Sequence, residues 1–155
     1  MKKIFICTFI IYFQILLNGI SNEIKILYKI NDGIITNQDV LEEINYLVAL
    51  NKNLSKLNNE QLSSNAQRSL IREIIKKDEI KKFYEINYNE AIKSEEIIEI
   101  IKKFRENIGF NSKQEFEDYL KVKNINLDEL KKKFIIEKLW NQLVFEKYKN
   151  FVKID

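Results

Sequence analysis

Apolar positions recur along this chain with a period of two near the start and a period near 3.6 afterwards. Ile24, Ile26, Tyr28 and Ile30 alternate with Lys25, Leu27 and Lys29, which predicts a strand with one better-buried face. Asn31-Asp32-Gly33 supplies residues that tolerate positive φ. A tight reversal and a short hairpin are therefore expected, with Ile34-Ile35 on the return. Thr36 stands where a helix needs an N-cap, and Asp39 can reach back to the cap amide as a shortened capping box.

Past the hairpin the pattern is helical to the end. Asn37–Leu50 places Val40, Leu41, Ile44, Leu47 and Val48 on one stripe, the spacing of an amphipathic helix. The polar segment Asn51–Asn59 breaks it. A longer helix is predicted from about Glu60 to about Asn87, with Leu62, Ala66, Leu70, Ile71, Ile74, Ile75, Phe83 and Tyr84 inward. Asp78 and Glu79 interrupt that stripe and mark a place for a kink or break. Ser94 opens a third helix, with Glu95 and Glu96 complementing its dipole and Gly109 closing it as C′. Its apolar positions are Ile97, Ile98, Ile100, Ile101, Phe104 and Ile108.

Ser112 with Glu115 forms a capping box for a short fourth helix burying Phe116 and Leu120, and Asn126 with Glu129 repeats it for a last helix from Leu127 to about Phe151. There Leu130, Phe134, Ile135, Ile136, Leu139, Trp140, Leu143, Val144 and Phe145 cover most of the circumference. Such a helix needs covering on several sides and should be central. The fold class is mainly α, a short N-terminal β-hairpin followed by a bundle of about five helices.

The segment ahead of the hairpin reads as a targeting leader. Lys2 and Lys3 precede an apolar run, Ile4–Leu17, interrupted only by Thr8 and Gln14. The run is short of the roughly 20 residues that span a bilayer, and small residues at Gly19 and Ser21 suit a signal peptidase. Residues 1–21 are expected to be a signal peptide cleaved after Ser21, with an uncleaved inner-membrane anchor as the alternative. Residues 22–155 then form one domain, since about 130 residues support one modest core. Cys7, the only cysteine, lies inside the apolar run rather than just after it. That speaks against a lipoprotein anchor and leaves the mature chain without a disulfide, a thiol nucleophile or a cysteine metal site.

Composition narrows the chemistry further. The formal charge of +3 loses Lys2 and Lys3 with the leader, and the remaining lysines alternate with glutamates as solvated faces, so nucleic acid is not an expected partner. Three glycines and no proline leave no glycine-rich loop for phosphates, and no small-molecule substrate is indicated. Histidine is absent, which removes the commonest general base and metal ligand. Glu95, Glu96 and Glu99 read as solvated or dipole-paired rather than as a cation site. No catalytic, cofactor or metal residue is singled out, and the expectation is a non-enzyme. Phe83, Tyr84, Phe104, Phe116, Trp140 and Phe145 read as core, since aromatics dominate core burial, with Trp140 shielded inside the bundle.

These residues carry a resemblance. Ile30-Asn31-Asp32-Gly33-Ile34-Ile35-Thr36-Asn37-Gln38-Asp39-Val40 resembles the V-N-x-x-x-I-T-x-x-D-hydrophobic opening of the SurA-like periplasmic chaperones. Ser69-Leu70-Ile71-Arg72-Glu73-Ile74-Ile75 is similar to their L-I-x-E-x-L helix, and Phe110-Asn111-Ser112-Lys113-Gln114-Glu115-Phe116 to their x-S-x-x-E-F helix. Leu127-Asp128-Glu129-Leu130, leading into the aromatic-rich last helix, follows in the same order, so the resemblance covers roughly Ile24–Phe151.

The resemblance implies an ATP-independent holdase domain that binds unfolded outer-membrane proteins in the periplasm. Members of that family usually continue into parvulin-type prolyl isomerase domains, and nothing in these residues supplies a parvulin site. The chain is then either a stand-alone holdase or a fragment of a SurA-type prolyl isomerase. An assembly module that docks on one fixed envelope partner through the hairpin edge is the alternative of a different class. Which apolar surface would hold clients is not legible at this level.

Overall fold

The computed structural model describes residues 23–149. The predicted signal peptide and the last residues of the chain lie outside them. Strands β1 (Ile26–Ile30) and β2 (Gly33–Thr36) form an antiparallel two-stranded hairpin. Six helices follow: α1 (Asn37–Leu50), α2 (Asn59–Lys81), α3 (Tyr88–Ala91), α4 (Glu95–Asn107), α5 (Lys113–Val122) and α6 (Leu127–Tyr148), with a 3-10 turn over Lys52–Lys56. The mainly α fold with a leading hairpin is the expected one. No helix among the described residues is long and apolar enough to cross a membrane.

Local chemistry sets most of the boundaries. Asn31 takes φ 51° in the hairpin turn, the left-handed region that Asn tolerates. The Thr36 hydroxyl accepts from the Asp39 amide at 3.2 Å while the Asp39 carboxylate accepts from the Thr36 amide at 2.7 Å, completing the capping box. α4 ends in a Schellman motif: Gly109 at φ 96° donates to the Glu106 carbonyl, and Phe110 to that of Arg105. Asn124, at φ 55°, closes α5 in the same way, with Ile125 donating to Leu120.

Several boundaries differ from the sequence pattern. The second helix starts with an Asn58–Gln61 capping box and runs without a break through Asp78 and Glu79. Asp78 keeps its place because its carboxylate accepts from the Asn31 amide at 2.7 Å, pinning the hairpin turn to α2. The helix stops at Lys81 rather than near Asn87 because Tyr84, Ile86 and Tyr88 turn inward while Glu85 and Asn87 stay exposed. That is a period of two, which an extended chain satisfies and a helix does not. Phe83, just past the helix end, is consequently exposed rather than inward, and Ile75, within α2, is exposed as well.

At Ser112 and Asn126 only half of each expected capping box forms. The cap side chains accept from the first-turn amides, but Glu129 instead pairs with Lys132. Leu41, Ile98 and Phe145, placed on inner stripes by spacing, are also exposed.

Three apolar clusters hold the elements together. Ile35, Val40 and Ala66 join the hairpin, α1 and α2; Ile80, Ile136 and Leu143 join α2 to α6. Ile92, Ile97, Ile101, Phe116, Leu120, Leu130 and Ile135 join α4, α5 and α6. α2 and α6 each contribute to two of the three, so these two long helices share the central position. Tyr119 adds a polar tie, donating to the Ala49 carbonyl at the end of α1 at 2.7 Å.

Candidate binding surface on the hairpin

Strict alternation in β1 would put Ile24, Ile26, Tyr28 and Ile30 on one inward face. The register contradicts this, since Ile26 pairs with Thr36 but Tyr28 with Ile35, leaving Leu27 as the extra residue of a bulge. A bulge re-aims side chains on either side of it. Beyond it, Tyr28, Ile30 and Ile35 face α2: Tyr28 donates to Gln67 at 2.8 Å, and Ile30 and Ile35 pack in the first cluster. A Cβ on Gly33 would lie 3.0 Å from Ile74 Cδ1, which shows how closely the hairpin sits on that helix.

The bulge leaves an apolar surface uncovered. Ile24 and Ile26 are 70% and 65% exposed, and Ile34 and Leu41 are each about half exposed. Leu27 opens onto a trough of about 510 Å³ whose apolar lining is completed by Val40, Leu41, Ile44 and Leu62. Single exposed apolar residues are ordinary, whereas an open trough with an apolar lining that includes the exposed Leu27 and Leu41 is a candidate interaction surface. Each strand of this hairpin is also paired on one side only, so backbone donors and acceptors are available for a further strand.

A second concave region, about 470 Å³, lies between α1, α2 and α6 and is charged. Lys133 reaches across it, donating to Glu43 at 3.0 Å and to Glu73. Ser69 donates to the other Glu43 oxygen at 2.6 Å, Lys77 to Glu73 at 2.5 Å, and Lys76 to Glu137. Burial alone would raise the Glu73 carboxyl, but Lys133 and Lys77 outweigh it and hold it below its ordinary value. Burial would likewise lower Lys133, and Glu73 and Glu43 outweigh it and raise the ammonium.

Tyr46, with the Lys133 ammonium 4.7 Å from its ring centre, is pushed far up by burial and then by Glu43, Glu73 and Glu137. Its hydroxyl therefore stays protonated. The sequence signal for this cluster was Glu43 itself, a carboxylate three residues after Val40 in the register of the apolar stripe. Such a position demands a buried partner.

The remaining sequence-selected residues scatter. Phe104 and Phe116 lie in the α4–α5–α6 core, with ring centres 6.4 Å apart, whereas Phe83 and Phe145 are exposed. Tyr84 is partly buried and donates to Glu146 at 2.9 Å. Trp140 is half-buried against Ile80, Ile136 and Leu143, with Lys76 6.0 Å from its ring, so it is less shielded than its helical neighbours suggest. Glu96 pairs with Lys138 and Glu99 with Lys102. Among the described residues no group of three or more carboxylate, histidine or cysteine side chains could hold a metal ion. No family model, no curated protein and no solved structure matches this chain.

Proposed function

We propose that this chain is an ATP-independent chaperone domain of the SurA-like kind, which holds unfolded outer-membrane proteins in the periplasm. The observations that carry the reading are the exposed apolar side chains of the hairpin segment, Ile24, Ile26, Leu27 and Ile34, and the trough that Leu27 lines together with Leu41 of α1. An unfolded client presents apolar side chains and unpaired backbone together. The trough accepts the first and a free strand edge the second. The ordered sequence resemblance from the hairpin to the last helix supports the same reading, as does the leader, which makes Asn22 the first residue of the exported form. Mass spectrometry of the periplasmic fraction checks that start, and an intact Met1 species in membranes contradicts it.

A docking module for one fixed envelope partner is the second reading, favoured by the unpaired hairpin edges. Strand addition selects by register and side-chain alternation, so a docking module would take one sequence and refuse others. Light scattering during refolding of two unrelated outer-membrane proteins separates the two. A holdase suppresses aggregation of both without nucleotide. Suppression of neither overturns the holdase reading.

A further inference from the structure

α2 brings Arg68, Arg72 and Lys76, one helical turn apart, to the wall of the charged cleft. Every carboxylate lining that cleft is paired: Glu43 and Glu73 share Lys133, Glu73 also takes Lys77, and Glu137 holds Lys76. The two arginines, both exposed at the cleft rim, have no carboxylate partner among the described residues. Arg68 donates only to neutral oxygens, the Ser64 carbonyl at 3.4 Å and Asn65 Oδ1 at 2.6 Å. Arg72 makes no hydrogen bond or ion pair with any described residue. The apolar part of the lining is short, comprising Leu47, Leu54 and Ile136.

A guanidinium presents forked donors that match a carboxylate, so the unmatched charge calls for an organic anion. The cleft, at about 470 Å³, falls in the size range that encloses small ligands or a few residues. Its apolar footing is flanked by the Lys133–Glu43 pair and the Lys76–Glu137 pair. With charged pairs on either side, this three-residue footing suits one apolar side chain better than a long acyl chain.

We propose that this cleft receives the C-terminal carboxylate of a polypeptide, clamped by Arg68 and Arg72, with an apolar last side chain resting on Leu47, Leu54 and Ile136. The site is separate from the hairpin trough and stands whether or not the trough holds clients.

The test titrates the full chain with a short Gly-Ser peptide ending in Phe, offered as the free acid and as the C-terminal amide, and with decanoate. Calorimetry reads binding, and Trp140, beneath Lys76 of the cleft wall, reports it by fluorescence. The free acid should bind and saturate, while the amide and decanoate should not. Arg72→Gln should weaken the free acid about tenfold or more, the loss of a charge-assisted clamp. It should melt like wild type, because Arg72 holds nothing in the fold. Equal binding of acid and amide, equal binding of decanoate, an unchanged affinity in Arg72→Gln, or no heat with the free acid would each overturn the proposal.

Discussion

Lys133 is where α1, α2 and α6 meet, because its ammonium is shared by Glu43 and Glu73. Glu43 is 4% exposed, so removing the cation strands a buried carboxylate beside a second one. Lys133→Met should therefore cost about 3–5 kcal/mol, as breaking a buried pair does, read by urea denaturation. The pH dependence follows from the two shifts. The Glu73 pKa is lowered from 4.5, so its stabilisation is present above that value and is lost as pH falls through the folded pKa. The Lys133 pKa is raised from 10.5, so its contribution is present below that value and is lost as pH rises through the folded pKa. Tyr46, also raised, adds to the alkaline loss. The difference in stability between wild type and Lys133→Met should be flat in the interval between those limits and shrink at both ends. A difference that grows on acidification would contradict the assignment. At this scale the site was not legible: the apolar stripe of α1 was read without Glu43, whose place in that register is the one local signal, and its partner lies on α6, 90 residues away, where only tertiary packing could reveal it.

Elements were legible wherever a side chain acts on its own backbone. The caps at Thr36, Ser94, Ser112 and Asn126 and the Gly109 terminus are all local, and all stand where the spacing put them. Thr36→Ala should cost about 1 kcal/mol by removing the cap of α1. Gly109→Ala should cost about 1–3 kcal/mol because its φ of 96° is strained for any Cβ, although the space beside it is open. Thermal melts of both variants check these values, and a neutral Gly109→Ala would show that the α4 terminus can relax. Features that depend on neighbours were not legible. The bulge at Leu27 takes Ile24 and Ile26 off the face that Tyr28 and Ile30 present to α2. The end of α2 is set by Tyr84, Ile86 and Tyr88 seeking the Ile80–Ile136–Leu143 cluster. Asp78, a helix breaker by pattern, is retained by its bond to Asn31. The Asn58–Gln61 capping box was readable but sits in a polar stretch that the periodicity marks only as a break.

For the whole molecule, the hairpin is the element least covered by the rest. It is anchored to α2 through Tyr28, Asn31 and the Gly33 approach to Ile74, and it turns Ile24, Ile26 and Ile34 outward. A fold that buries Ile35 almost completely while exposing Ile34 next to it spends one face of a short strand on stability and leaves the other available for binding. The holdase reading rests on that outward face. The measurement that tests it most directly compares wild type with the double variant Ile26→Ser, Ile34→Ser in suppressing aggregation of a refolding outer-membrane protein. Both positions are more than half exposed, so the fold should lose only about 1 kcal/mol or less. Melting curves confirm that before the comparison is read. Wild type should suppress light scattering without nucleotide, and the folded double variant should lose most of this effect. A folded double variant that protects the client as well as wild type does would contradict the holdase reading.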